Sequence, residues 1–177
     1  MEEGSALATF AGGCFWCLKA RFEELPGVRA VTAGFTGGTS ENPTYESVRV
    51  GGTGHCEAIR ILYQPAVVSY ETLLKIYWRG IDPTDAEGQF TDRGDSYRTV
   101  IYYHTEVQKT LAVESKQALQ ESGLFAADIV TEILPAAPLY PADDYHQDFY
   151  KNNRFFYCQY RQTSGRDDFI KKMWRSK

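Results

Sequence analysis

Apolar positions along the chain fall into two rhythms, one of helices and one of strands. Leu7 to Phe10 is a short apolar run closed by Gly12-Gly13, which predicts a buried strand. Phe15, Leu18 and Phe22 then recur three and four residues apart, predicting a helix over 14–25 that Pro26-Gly27 stops. Val28 to Phe35 predicts a second strand, followed by a loop marked by Gly37-Gly38 and Asn42-Pro43. Ile59, Ile61 and Tyr63 alternate with Arg60 and Leu62, the pattern of a half-buried strand over 58–63. Ser69 is placed to cap a helix bearing Leu73, Leu74, Tyr77 and Trp78, with Gly80 at its end. From 80 to 97 the chain is rich in Asp, Gly and Thr and weakly periodic, as a functional loop is. Thr99 to Tyr103 predicts a strand, and Thr105-Glu106-Val107-Gln108 fits a capping box opening a helix that stops near Ser122-Gly123. Ile129 to Leu134 predicts a strand, 135–144 a loop, 145–152 a short helix, and the rest a polar tail. Strands and helices alternate, yet some strands follow one another directly. That favours an α+β fold, a two-layer sandwich, over a doubly wound parallel sheet.

Composition narrows the function classes. The 177 residues suit one domain spanning the whole chain, large enough to hold together without disulfides or a metal. With 19 basic against 23 acidic residues the net charge is −4, so an electrostatically driven nucleic-acid binder is not expected. No apolar run approaches the roughly 18 residues of a membrane helix, so no membrane partner is expected either. Met1-Glu2-Glu3 is acidic where a signal peptide is basic. The expectation is a soluble cytoplasmic protein whose four cysteines are free, metal-bound or catalytic.

Cys14 is the most informative of them. In Gly12-Gly13-Cys14-Phe15-Trp16-Cys17 it falls where a strand turns into a helix, and free N–H groups and the dipole there favour a thiolate nucleophile. A small buried apolar residue is the plain alternative. Cys14 and Cys17 also form the Cys-x-x-Cys of dithiol enzymes. Glu57, after Gly51-Gly52-Thr53-Gly54-His55-Cys56, is a candidate general acid if an aromatic pocket desolvates it. His55 reads as a structural hydrogen-bonding residue. A zinc site from Cys14, Cys17, His55 and Cys56 is disfavoured, because paired ligand spacing occurs only once; no metal is expected.

Gly13-Cys14-Phe15-Trp16, Gly34-Phe35-Thr36-Gly37-Gly38, Asn42-Pro43-Thr44-Tyr45, Gly54-His55 with Glu57, Asp82-Pro83-Thr84, Asp92-Arg93-Gly94, Tyr97-Arg98 and Asp144-Tyr145-His146-Gln147 occur in that order. Together they resemble the peptide-methionine (S)-S-oxide reductases, the type A methionine sulfoxide reductases. The resemblance implies a ferredoxin-like core with a mixed sheet and a long irregular C-terminal segment. It implies thiol-dependent reduction of the S epimer of free or peptide-bound methionine sulfoxide, in the repair of proteins after oxidative stress. Cys14 would attack the sulfoxide sulfur, Glu57 protonate its oxygen, and Tyr45 and Tyr97 hydrogen-bond it. Phe15 and Trp16 would wall the S-methyl group, Asp92 would position the substrate, and His146 would give structural support. The family needs no metal or organic cofactor; a disulfide forms and thioredoxin reduces it. Cys158 matches the family's resolving cysteine on a mobile C-terminal segment and is the first choice, with Cys17 and Cys56 as rivals. Ile81 and Phe90 depart from the family pattern in the loop expected to frame the pocket, and so bear on substrate fit. The runner-up is a thioredoxin-like dithiol–disulfide oxidoreductase using Cys14 and Cys17, which has no use for Glu57, Tyr45 or Tyr97.

Overall fold

In the computed structural model, which describes residues 4–174, the chain builds one six-stranded sheet with helices against it. β1 (Ala6–Gly12) runs through its middle, flanked by β3 (Cys56–Tyr63) and β6 (Thr99–Tyr103), both antiparallel to it. β2 (Val28–Thr36) lies outside β3, β8 (Tyr140–Pro141) outside β2, and β7 (Glu132–Pro135) pairs with β6. The order is therefore β7-β6-β1-β3-β2-β8. The inner four strands form the ferredoxin-like core, and the parallel β6–β7 pair makes the sheet mixed.

Side chains alternate across each strand, so the sheet has two distinct faces. Ala8, Phe10, Ile59 and Ile61 face the larger core with Phe15, Leu18 and Phe22 of α1 (Phe15–Phe22) and Leu73, Leu74 and Tyr77 of α3 (Tyr70–Trp78). Cys56, Ala58, Val100 and Tyr102 sit in a second cluster with Ala11 and Leu139. The expected helix face of α1 is thus the buried one. Ser69 caps α3 as expected, its hydroxyl accepting from the Thr72 N–H at 3.2 Å. The capping box before α4 (Glu106–Glu121) is half formed: Thr105 accepts from the Gln108 N–H, but the Gln108 carbonyl takes the N–H of His104 instead of Thr105.

Three segments differ from expectation. A short helix, α2 (Tyr45–Val50), occupies part of the predicted loop; Thr44 and Ser47 cap it reciprocally, but Val48 alone is buried, so it leaves no periodic trace. The 80–97 loop holds a two-stranded hairpin, β4 (Gly88–Gln89) with β5 (Asp92–Arg93), and a 3₁₀ turn over Asp95–Tyr97. In the C-terminal segment α5 (Asp144–Gln147) and α6 (Phe149–Asn152) fall on the short helix expected over 145–152, whereas α7 (Arg154–Thr163) and α8 (Arg166–Trp174) are helical where an irregular tail was expected. These two are short and bury little apolar surface, which is why periodicity hid them. No helix among the described residues is long and apolar enough to cross a membrane. The acidic Met1–Glu3 reading lies outside the described residues.

Candidate active site

β1 ends at Gly12, and the chain turns through Gly13 into α1 with Cys14 at the N-cap position. Gly13 holds φ +78°, a left-handed conformation, and a β-carbon there would lie 2.6 Å from Cβ of Gln89 and 2.7 Å from Nη2 of Arg166. Only glycine lets this turn pack that closely. Gly13→Ala combines left-handed strain with two clashes, so we expect a loss of roughly 2 kcal/mol or more in stability, read by thermal or denaturant unfolding. Activity should fall with it, since Cys14 is the next residue.

Cys14, Phe15, Trp16, Tyr45, Glu57, Asp92, Tyr97 and Tyr160 line one small pocket of about 40 Å³, room for a few waters. Glu57 reaches it from β3, on the same strand face as Ile59 and Ile61, and accepts the N–H of Phe15 at 3.0 Å. Burial is what raises its pKa, to about 8; the Phe15 N–H only partly offsets that. Tyr45 opens α2, and burial followed by the charge of Glu57 pushes its phenol up to about 12. The Tyr97 phenol is raised for the same reasons, so both tyrosines stay protonated donors. Asp92, on β5, is raised by desolvation and accepts the hydroxyl of Tyr160. His146 is the back wall: its ring stacks on Tyr45 at 4.2 Å between centroids and lies 5.8 Å from Phe15 and from Trp16.

The four cysteines have different surroundings. Cys14 is 5% exposed and Cys17, one turn along α1, is wholly buried, with the two thiols within hydrogen-bonding reach. Hydrogen bonding to Cys14 and the cations of Arg166 and Arg161 lower the Cys17 thiol to about 6. Cys14 goes the other way, because burial, the Cys17 sulfur and the carboxylates of Glu57 and Asp92 all disfavour its anion. Of the two sulfurs, Cys17 is the one whose anion the neighbouring cations favour.

Cys56 is not near the pocket. It lies on the opposite strand face from Glu57, with the Tyr102 hydroxyl 3.5 Å from its sulfur, and burial raises its thiol. Adjacent strand residues point apart, so its place beside Glu57 in sequence brings no contact. Cys158 is exposed on α7 in a groove with Glu24, Tyr150, Lys151, Arg154 and Tyr157, beyond the C-terminal end of α1. Cys14 sits at the other end of that helix, so in this arrangement Cys17, and not Cys158, is the thiol beside the nucleophile position.

His55 is a satisfied structural residue: Nδ1 accepts the Gly38 N–H at 3.1 Å and Nε2 donates to the Ser40 carbonyl at 2.8 Å. Ile81 and Phe90 brace the site from behind and do not line it. Ile81 fills the space left by Gly12, while Phe90 holds φ +59° and lies 4.7 Å beneath the Arg166 guanidinium. That left-handed conformation is one glycine adopts freely and phenylalanine rarely does. The departures therefore act on the turn behind Cys14, not on the pocket wall.

Sequence reasoning missed Tyr160, which closes the pocket, and Arg161 and Arg166 behind it. Tyr157, Tyr160, Arg161 and Ser164 recur at three- and four-residue spacing, a signal masked by the exposed Phe155 and Phe156 just before them.

Comparisons with known proteins place the chain in a family. The family model described as peptide methionine sulfoxide reductase matches residues 6–177. The peptide methionine sulfoxide reductase MsrA of Bacillus licheniformis is 55% identical over 177 residues, covering 100% of this chain and 98% of that protein. Among solved structures, methionine sulfoxide reductase A of Corynebacterium diphtheriae superposes with a TM-score of 0.76 at 31% identity, covering 86% of this chain and 77% of that one. Reduced Mxr1 of Saccharomyces cerevisiae superposes at 0.81 with 25% identity, covering 87% and 88%. The complex of Mxr1 with Trx2 shares the fold at 0.59 and 18% identity, covering 81% and 85%.

Proposed function

The chain belongs to the peptide methionine sulfoxide reductases, and we propose that Cys14, Glu57, Tyr45, Tyr97 and Cys17 carry out the reduction. The supporting observation is that a thiol, a carboxyl protonated near neutral pH and two phenols line or border one small pocket. Sulfoxide sulfur becomes electrophilic only as its oxygen gains a hydrogen bond or proton. Phe15 and Trp16 take the S-methyl group, and Tyr45 and Tyr97 donate to the oxygen, where charge grows in the transition state. Asp92 orients the rest of the substrate. The Cys14 sulfur attacks as its proton passes to Cys17, and Glu57 gives its proton to the oxygen. Methionine leaves, and Cys14 is left as a sulfenic acid. The dithiol-exchange alternative is not favoured, because it leaves Glu57 and both tyrosines idle.

Cys17 then attacks the Cys14 sulfur, expelling the oxygen as water and forming the disulfide. This reverses the preference for Cys158, on the ground that Cys17 is one turn away, buried with Cys14 and the more acidic thiol. External thiol, thioredoxin by the precedent of the yeast complex, reduces the disulfide by exchange. The substrate epimer is the S form by family resemblance, no metal or organic cofactor enters the cycle, and cytoplasmic protein repair is the setting we infer. The test is a single turnover followed by mass spectrometry of the trapped disulfide. We expect a Cys14–Cys17 bond. Cys17→Ser should release one methionine per enzyme and then stall with thioredoxin, while Cys158→Ser cycles within about twofold of wild type, as surface changes usually do. A Cys14–Cys158 bond with a stalled Cys158→Ser enzyme would reverse the assignment.

A further inference from the structure

The pocket beside Cys14, about 40 Å³, has room for the sulfoxide end of a side chain, so the peptide that carries it must lie outside, on the rim. Trp16 is the part of the wall that continues outward. Its ring stacks on Phe149, with centroids 3.8 Å apart and planes 15° from parallel. Phe149 is itself buried, 4% exposed, and carries two further rings edge-on, Tyr145 at 5.3 Å and Phe156 at 5.8 Å between centroids. Tyr145 comes from α5, Phe149 from α6 and Phe156 from α7, so three short helices combine to build one aromatic surface.

The outer rings of that surface are left in solvent: Tyr145 is 62% exposed and Phe156 56%, where large aromatic rings are ordinarily well covered. A single exposed apolar residue needs no explanation. These two share a buried floor with a wall of the reaction pocket, and apolar surface joined to a site marks recognition. Size decides between occupants. Two half-exposed rings fall well short of the roughly 800 Å² per partner of a stable protein interface, but they suit one side chain of a bound peptide. Reach says which side chain. Through Phe149, Phe156 lies within about 10 Å of Trp16, a span that roughly three residues of extended chain cover.

We propose that Tyr145 and Phe156, standing on Phe149 beside Trp16, form a peptide subsite that takes an apolar side chain within about three residues of the oxidised methionine. The proposal rests on the pocket beside Cys14 being the reaction site. Phe149 is the floor, and Tyr145 and Phe156 are the specificity-determining contacts. None of the three touches the reacting atoms, so the subsite adds binding energy without altering the chemistry at sulfur. Contact of that kind is the same in the ground state and the transition state, and it therefore appears in KM and not in kcat. Free methionine sulfoxide has nothing to place there.

Steady-state kinetics of the full-length enzyme on capped peptides test this. Each peptide carries one methionine sulfoxide of the S epimer; in one it is flanked by glycines, and in the other phenylalanine replaces the glycine two residues to either side. Wild type should favour the phenylalanine peptide about tenfold in kcat/KM, through KM, the gain from covering roughly half of one aromatic side chain. Phe156→Ser and Tyr145→Ser should each pull that ratio toward one, and Phe156→Leu, which keeps apolar bulk, should restore most of it. Because the ratio is taken within each enzyme, any change in overall turnover cancels. Phe155→Ser, at the next residue of α7 and 85% exposed, should keep the wild-type ratio. A wild-type ratio of one would overturn the subsite, as would a full ratio in both Phe156→Ser and Tyr145→Ser, or an equal loss in Phe155→Ser. A Phe156→Ser enzyme that keeps the ratio but raises the KM for thioredoxin, or that loses a dimer seen for wild type in ultracentrifugation, would give the rings to those partners and overturn it too. Wild type that reduces neither peptide would instead overturn the reaction pocket itself, and the subsite with it.

Discussion

Cys14→Ser enzyme turns over no methionine sulfoxide above the rate of the thiol reductant alone. The oxygen of serine occupies the same N-cap position but is a poor nucleophile toward sulfur and has no route to a disulfide. Cys17 cannot stand in, because it is wholly buried on the arginine side of α1 and does not line the pocket. The fold survives the change. Cys14 makes no side-chain capping bond to α1, whereas serine is a favoured N-cap residue, so stability should hold or rise by up to about 1 kcal/mol. The lost activity is therefore chemistry and not folding, a distinction that a thermal melt beside the assay makes directly. Turnover in this variant would mean that the nucleophile lies elsewhere and would sink the assignment of the pocket.

The elements around the nucleophile are legible in the amino-acid sequence, and those that cover it are not. The spacing of Phe15, Leu18 and Phe22 marks α1, and glycines before a cysteine at a strand–helix junction mark Cys14, because backbone geometry constrains both. The face on which Glu57 lies is also written in the chain. Ile59, Ile61 and Tyr63 alternate, and extending that period backwards puts Glu57 with them and Cys56 opposite. Cys56 is a rival to Cys17 and Cys158 only while that period stops at Ala58. The helices at the C-terminal end leave only a masked signal. α7 docks through phenols and a guanidinium, so apolar periodicity has nothing to register there, and its most apolar residues, Phe155 and Phe156, are exposed. Choosing between Cys17 and Cys158 needs three dimensions, since it turns on which face of α7 meets α1.

Glu57→Gln should slow reduction by about 10²–10⁴-fold, the usual contribution of a general acid, while making the protein more stable. Glutamine keeps the carbonyl that accepts the Phe15 N–H, so the pocket keeps its shape and loses only the transferable proton. The pH profile separates this from distortion. In wild type the acid must be protonated, so activity falls as pH rises through about 8; the dithiol must hold its anion, so activity also falls as pH drops through about 6. The kcat/KM profile is a bell centred near neutrality, and Glu57→Gln should erase its alkaline limb and keep the acid one. Stability moves the other way for the same reason. Unfolded, Glu57 ionises near 4.5, and folded, it ionises at about 8. Between those values the unfolded chain gives up a proton that the folded one keeps, so wild-type stability is full below the lower value and declines up to the higher. At pH 7 that decline is roughly 3 kcal/mol, taking one pKa unit as about 1.4 kcal/mol. The glutamine variant has no proton to lose, so denaturant unfolding should show its advantage vanish near pH 4 and grow toward pH 8. A variant that loses activity but gains no stability across that range would mean that Glu57 is ionised in the resting site, and the proton for the sulfoxide oxygen would have to come from one of the phenols.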